Sequence, residues 1–256
     1  MLNYVQKIHQ FKDKLNTIGV FGCFCKTTDS SIIEALGLAG LDYAIVDMEH
    51  GPATTETLKH HLMAAQASGM LGIVRVPSHD SPLLEKALDI GAHGIQVSSI
   101  NNAEQARNAV KRMRFYPSGE RGVCRFVRAA SYAERDKETY FSEANNSLVI
   151  LQLEGTEAIS NLGDIMQVGG VDILFIGPYD LSQSLGVPGQ IEHERVVNAM
   201  QDIVKQAKKH NIATGVFCDE PGQAIHWKKL GVKYISYSVE IKLLTQALKE
   251  LKASLS

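Results

Sequence analysis

Two carboxylates delivered by successive strands are the first residues of this chain that could do chemistry. Glu154 ends the run Leu148-Val149-Ile150-Leu151-Gln152-Leu153, and Asp180 follows Ile173-Leu174-Phe175-Ile176 after a Gly-Pro turn. If the two strands are parallel neighbours, both acids stand on one rim and can share a divalent cation, with water and substrate completing its shell. The alternative for Asp180 is a helix cap ahead of Leu181-Ser182-Gln183-Ser184, and a bare pair of acids does not decide between the two.

Other strand ends offer partners for such a cation. Asp47, Glu49 and His50 follow Tyr43-Ala44-Ile45-Val46, Arg75 lies in Ile73-Val74-Arg75-Val76, and Ser98 and Ser99 close a fourth run. Polar side chains at the ends of buried strands are costly unless paired or ligating, which argues against an accidental cluster. His50 has the chemistry of a general base or a metal ligand, although a lone histidine is more commonly just hydrogen-bonded in a loop. Arg75 suits a substrate carboxylate or oxyanion; an ion pair with Asp47 is its structural alternative, and both roles can coexist. Asp89 closes a helix just before Gly91, which by periodicity puts it at the surface of the opposite rim. Arg128, in a long irregular stretch, either folds over the active rim or is a solvated charge. His93, between helix and strand, reads as structural. None of Lys59, Lys86, Lys111 or Lys233 ends a strand facing inward, where a Schiff-base lysine would have to stand.

These groups need a scaffold that brings many strand ends to one face. Short apolar or β-branched runs at 19–24, 43–47, 72–76, 94–98, 148–153, 172–176, 213–218 and 234–237 read as strands. Helical patterns at 30–39, 56–68, 82–89, 103–113, 157–168, 192–210, 221–230 and 242–253 alternate with them. Gly40, Gly69, Gly91 and Gly231 stand where left-handed caps would end four helices. Eight strand–helix units without a low-complexity linker predict a single (β/α)8 TIM barrel over 1–256, with functional groups collecting where strands end. A doubly wound sheet is the alternative, but no Gly-x-Gly-x-x-Gly turn follows the first strand. The irregular segment 114–131 is long enough inside a compact domain to suggest a function.

The 256 residues are 45% hydrophobic and 21% charged, and a net charge of −2 gives no field for nucleic acid or an anionic membrane. No apolar run approaches the roughly 20 residues of a membrane span. The opening MLNYVQKIHQFKDKLN is amphipathic and of mixed charge, without a secretory apolar core, so an N-terminal helix and a cytoplasmic location are expected. Cys23, Cys25, Cys124 and Cys218 lack a zinc spacing and are expected to be reduced, with Cys23 and Cys25 serving packing.

Several blocks occur in order: Val46-Asp47-Met48-Glu49-His50-Gly51-Pro52, Val74-Arg75-Val76-Pro77, Leu88-Asp89-Ile90-Gly91-Ala92, Arg114-Phe115-Tyr116-Pro117 and Gly119-Glu120-Arg121-Gly122-Val123. Leu151-Gln152-Leu153-Glu154, Phe175-Ile176-Gly177-Pro178-Tyr179-Asp180-Leu181-Ser182 and Leu185-Gly186 follow. With this spacing the chain resembles, over about 17–240, the metal-dependent, pyruvate-forming aldolases that include 4-hydroxy-2-oxoheptanedioate aldolase and 2-dehydro-3-deoxyglucarate aldolase. The resemblance implies a (β/α)8 barrel assembled as a homohexamer, a trimer of dimers, whose C-terminal helices exchange between paired subunits. It implies Glu154 and Asp180 as ligands of Mg²⁺ or Mn²⁺, with Co²⁺ a further candidate. His50 would be the acid/base, acting through a water and oriented by Asp89, and Arg75, near Asp47, would steady the enolate oxygen. Gln152 and the backbone amides around Gly177, Pro178 and Tyr179 would hold the pyruvate end. Apart from the resemblance, Arg128 is expected as a substrate-binding group if its loop folds over the rim.

The expected reaction is reversible cleavage of a 4-hydroxy-2-oxo acid, for example a sugar-acid or dioate derivative, to pyruvate and an aldehyde. An acyl-CoA lyase or an oxaloacetate decarboxylase on the same scaffold is the alternative, and a non-catalytic binding barrel comes third. Three segments depart from the family pattern: Val97-Ser98-Ser99, Cys218-Asp219-Glu220 and Ser238-Val239-Glu240. They bear on the aldehyde side of the substrate.

Overall fold

A computed structural model of the protein describes residues 4–255. Helix α1 (Tyr4–Thr17) precedes β1 (Val20–Cys25), α2 (Ser30–Leu38), β2 (Tyr43–Asp47), α3 (Thr55–Ala67), β3 (Leu71–Val76), α4 (Leu83–Ile90), β4 (Gly94–Val97) and α5 (Ala103–Met113). A 3-10 turn (Arg128–Ala133) and α6 (Lys137–Ala144) lead to β5 (Leu148–Leu153), α7 (Thr156–Ser160) and α8 (Leu162–Met166). The chain finishes with β6 (Ile173–Ile176), α9 (Pro178–Ser184), α10 (Glu194–Lys209), β7 (Ala213–Cys218), α11 (Pro221–Lys229), β8 (Tyr234–Val239) and α12 (Glu240–Ser254). All strands pair in parallel in chain order and β8 closes onto β1, giving the (β/α)8 barrel. The helical pattern at 157–168 resolves into two short helices that meet at Asn161, whose side chain turns away to donate to the Asn101 carbonyl.

Alternation along the strands builds two cores. Outward residues such as Val46, Val74, Ile95 and Leu174 pack beneath the helices, while inward residues such as Tyr43, Ile45, Ile150 and Phe175 fill the barrel. Helix α1 lies across the N-terminal mouth because Ile8, Phe11 and Leu15 recur at helical spacing and pack onto Tyr43, Tyr234 and Leu148. Cys23 and Cys25 face outward into a small cluster with Ile33 and Ala44, as free thiols.

The long segment 114–131 does not fold over the C-terminal rim. Helix α5 ends at the N-terminal face, and the segment stays there: Arg114 donates to Ser147, Arg121 to Asp89, and Arg128 to the Ile90 carbonyl. No helix among the described residues is long and apolar enough to cross a membrane. Helix α12 and its C-cap leave a stripe of Ile241, Leu244, Leu248, Leu251 and Leu255 facing outward, each more than half exposed, and Phe21 on β1 is 43% exposed.

Candidate active site

The strand register fixes which side chains meet at the C-terminal mouth. Asp47 stands opposite Arg75 across β2 and β3, and Leu153 stands opposite Ile176 across β5 and β6, so Glu154 and Gly177 come next on their strands. A cavity of about 360 Å³ opens there, lined among others by Lys26, Arg75, Gln152, Gly177 and Asp180.

Arg75 is buried and held by two acids. Its Nε and Nη2 donate to the two oxygens of Asp47 at 2.9 and 2.7 Å, Nη1 lies 3.2 Å from Glu49, and the guanidinium stacks 4.8 Å from the Phe24 ring centroid. Burial pushes the Asp47 carboxyl up, but the hydrogen bonds and charge of Arg75, with the His50 and Glu49 amides, outweigh it, so its pKa falls below the ordinary aspartate value. Those two amides donate to Asp47 at 3.1 Å each, so the residue that orders Arg75 also shapes the loop carrying His50. Burial raises the Glu49 carboxyl despite the opposing effects of Ser98 and Arg75. The His50 ring is 62% exposed at the edge of the mouth, with Nε2 3.9 Å from Glu49.

Glu154 stands beside Gly177, and Asp180 lies in the first turn of the helix that Gly177 leads into. A Cβ on Gly177 would lie 3.0 Å from Glu154 Oε2 and 3.3 Å from its Cβ, so any larger residue there would push against the carboxylate. Asp180 is not the cap of its helix: α9 starts at Pro178 with Gly177 as N-cap and no side-chain cap bond, and Asp180 lies in its first turn. Its exposed carboxylate makes no hydrogen bond or ion pair among the described residues. Glu154 Oε1 accepts from the amide and hydroxyl of Ser99 at 2.8 and 2.9 Å, and Oε2 accepts from Gln152. No group of three or more His, Cys, Asp or Glu among the described residues could hold a metal. Carboxylate oxygens are the donors a hard cation such as Mg²⁺ or Mn²⁺ takes, and one held by Glu154 and Asp180 would draw its remaining oxygens from water and substrate. Of the amides around Gly177, Pro178 and Tyr179, that of Gly177 bonds to the Leu153 carbonyl and proline has none, so Tyr179 supplies the first free donor. The Tyr179 hydroxyl is tied to Asp219, and burial together with that bond raises its pKa to about 12.

Two expected site residues lie elsewhere. Asp89 ends α4 at the N-terminal face, where Arg121 donates to it at 2.7 Å, so it does not orient His50 of the same chain. Arg128 sits on that face too, bonded to the Ile90 carbonyl and Gln66, and does not enter the cavity of its own barrel. Helices return antiparallel to the strands, which carries the α4 end and the segment after α5 to the rim opposite Glu154.

Other contributors were missed in the sequence. Lys26 follows β1 directly and lines the cavity, with Nζ 3.4 Å from Asp47. Gln96, fully buried on β4, donates to Gln152 Oε1 at 2.6 Å; because Gln152 must present its NH₂ to Glu154, this bond fixes the amide orientation. The three departures from the family pattern also acquire contacts. Ser98 donates to Glu49 at 2.8 Å and Ser99 to Glu154, Asp219 lines the cavity, and buried Glu240 accepts from the Lys26 and Thr27 amides at 2.8 and 2.5 Å. Glu220 completes a capping box on α11 and has no place in the cavity.

A closed parallel barrel with acids, an arginine and a histidine at its strand ends defines a (β/α)8 enzyme rim. The chain belongs to the HpcH/HpaI aldolase/citrate lyase family, whose model matches residues 20–247. It is 35% identical over 235 residues, 91% of each chain, to 2-dehydro-3,6-dideoxy-6-sulfogluconate aldolase of Pseudomonas putida. It is 33% identical over 231 residues, 90% of each chain, to 5-keto-4-deoxy-D-glucarate aldolase of Klebsiella pneumoniae. The solved structure of an HpcH/HpaI aldolase/citrate lyase family protein from Burkholderia cenocepacia superposes with a TM-score of 0.91 at 31% identity, covering 96% of this chain and 98% of that one.

Proposed function

We propose that the protein is a cytoplasmic aldolase that reversibly cleaves a 4-hydroxy-2-oxo acid to pyruvate and an aldehyde, with Mg²⁺ or Mn²⁺ held by Glu154 and Asp180. The observation that supports this reading is Arg75, held by two acids, lining one cavity with Gln152, Gly177 and Asp180, with Glu154 beside Gly177. In the cleavage the C3–C4 bond breaks, its electron pair becomes the enolate of pyruvate, and the C4 hydroxyl gives up its proton to become an aldehyde. A bound cation supplies Lewis-acid polarisation of the 2-oxo group. Arg75, locked by Asp47 and Glu49, presents fixed positive charge to the enolate oxygen at no reorganisation cost. Gln152 and the Tyr179 amide hold the carboxylate end. His50 Nε2 takes the proton of the C4 hydroxyl at the exposed edge of the mouth, and protonation of the enolate at C3 gives pyruvate.

The same reading makes the protein a homo-oligomer. Asp89 and Arg128 lie on the face opposite His50, so either can serve a mouth only on a second copy of the chain. The outward apolar stripe of α12 and the exposed Phe21 suit an exchanged C-terminal helix. Light scattering is expected to give the mass of six chains; a monomer would contradict the assembly.

Mass analysis of the products from a panel of 2-oxo acids tests the reaction. Pyruvate plus aldehyde from 4-hydroxy-2-oxo acids is expected, whereas turnover confined to oxaloacetate, with loss of CO₂, would make the protein a decarboxylase. Since Lys26 lines the cavity, borohydride is added with pyruvate in a parallel reaction. No adduct is expected; a reduced pyruvyl adduct on Lys26 would replace the cation by a Schiff base.

A further inference from the structure

We infer that Lys26 selects the aldehyde half of the substrate, and that this half carries an anionic end, a carboxylate or a comparable oxyanion. The inference rests on the aldolase reading and adds the chemistry of the partner. The pyruvate end belongs at the ends of β5 and β6, where Gln152 and Asp180 stand. In a ring of eight strands in chain order β1 lies diametrically across from β5, so Lys26 faces the space left for the aldehyde.

The cavity of about 360 Å³ equals roughly a dozen waters at about 30 Å³ each, more than pyruvate alone requires. On the β7, β8 and β1 side its wall is Phe217, Val239 and Phe24, with the charges of Asp219 and Lys26. Asp219 is taken up by the Tyr179 hydroxyl and by Lys242 at 3.3 Å. The three guanidinium nitrogens of Arg75 each meet Asp47 or Glu49, and in the proposed reaction its remaining N–H groups serve the enolate oxygen. Lys26 differs. Its Nζ is 3.4 Å from Asp47, an acid already met twice by Arg75 and by two amides, and a third of its side chain is exposed (34%). Neutralising Asp47 therefore does not require Lys26, and with Arg75 serving the enolate oxygen the Lys26 ammonium is left with donors for the aldehyde half. Its backbone is also held in place. Glu240 accepts from the Lys26 and Thr27 amides, and His61 Nε2 bonds to the Thr27 carbonyl at 2.9 Å. Beside an apolar wall, an anion paired with this ammonium is favoured over a neutral polar end that leaves it unpaired.

The test is the condensation direction, with pyruvate, Mn²⁺ and three aldehydes: succinic semialdehyde, its neutral amide 4-oxobutanamide, and the sulfonate 3-oxopropane-1-sulfonate. A charge-assisted contact predicts kcat/KM about tenfold or more higher for an anionic aldehyde than for the amide. The carboxylate and sulfonate arms show which oxyanion fits. In Lys26→Met the preference collapses toward unity, and in Lys26→Arg it persists. Equal use of the amide by the wild type, or a preference that survives in Lys26→Met, overturns the inference and leaves the aldolase standing. No condensation with any aldehyde overturns the aldolase reading itself. If Lys26→Met does not fold, Lys26→Gln replaces it and the same ratio decides.

Discussion

The two mouths of this barrel are built from the same strands and treat polar atoms in opposite ways. At the N-terminal mouth α1 seals the barrel with Ile8, Phe11 and Leu15, above Tyr43 and Tyr234 rings stacked 4.0 Å apart. Its histidine is kept neutral: burial, then Lys7 and Arg128, push the His93 pKa down to about 3 against the hydrogen bond from the Gly72 amide. At the C-terminal mouth no helix among the described residues seals the barrel, and the charges are fixed by ion pairs and hydrogen bonds, Asp47 and Glu49 on Arg75 and Ser99 and Gln152 on Glu154. One end converts apolar area into stability, and the other holds charge ready for a substrate. The contrast explains how one chain tolerates so many acids at a rim.

Substitutions should separate the two ends. The largest expected effect is at the seal: Phe11→Ala removes a buried ring packed edge-on against Tyr43 and Tyr234 and should cost about 3–5 kcal/mol in denaturant unfolding, with kcat little changed where the protein is folded. At the open mouth Arg75→Met should lower kcat by about 10²–10³, the usual loss of an oxyanion donor, measured by pyruvate release. Stability should change far less than activity there. Ser99→Ala removes one of the two Ser99 bonds to Glu154 and should weaken Mn²⁺ binding by about tenfold, read by titration of the metal alone. The smallest effect is in pH. The folded pKa of His93 lies below its ordinary 6.5, so its contribution to stability is present in full above about 6.5 and is lost progressively as pH falls towards about 3. Unfolding free energy should drop by on the order of 1 kcal/mol between pH 7.5 and 5.5 through this group, and His93→Gln should flatten that slope.

Much of this was readable in the chain. The strands at 43–47, 148–153 and 213–218 match the observed β2, β5 and β7, because alternating strand and helix periods with glycine stops leave little freedom in a barrel. The acids at strand ends were legible for the same reason. Lys26 was missed because the first strand reads as ending at Phe24, whereas it runs through Cys25 and delivers the lysine at its end. Gln96 was missed because one polar residue inside an apolar run carries no signal until its partner Gln152 is known. Asp89 and Arg128 illustrate a different limit. A family motif marks Asp89 while periodicity puts it on the other face, and the irregular stretch leaves Arg128 either over the rim or solvated; neither signal says on which copy of the chain a residue acts. The Ser98-Ser99 departure could be read only as a loss of the family pattern; its donors to Glu49 and Glu154 depend on a left-handed turn at Ser99 (φ 56°) that the residue types do not announce.

The most direct test of the account is pyruvate release from a 4-hydroxy-2-oxo acid, followed by coupling to lactate dehydrogenase, in protein stripped of metal and then given Mg²⁺ or Mn²⁺. The account predicts no release before the cation is restored, full release after it, and none at any stage from Asp180→Asn. Undiminished release from protein verified to be metal-free, or wild-type turnover by Asp180→Asn, would contradict it.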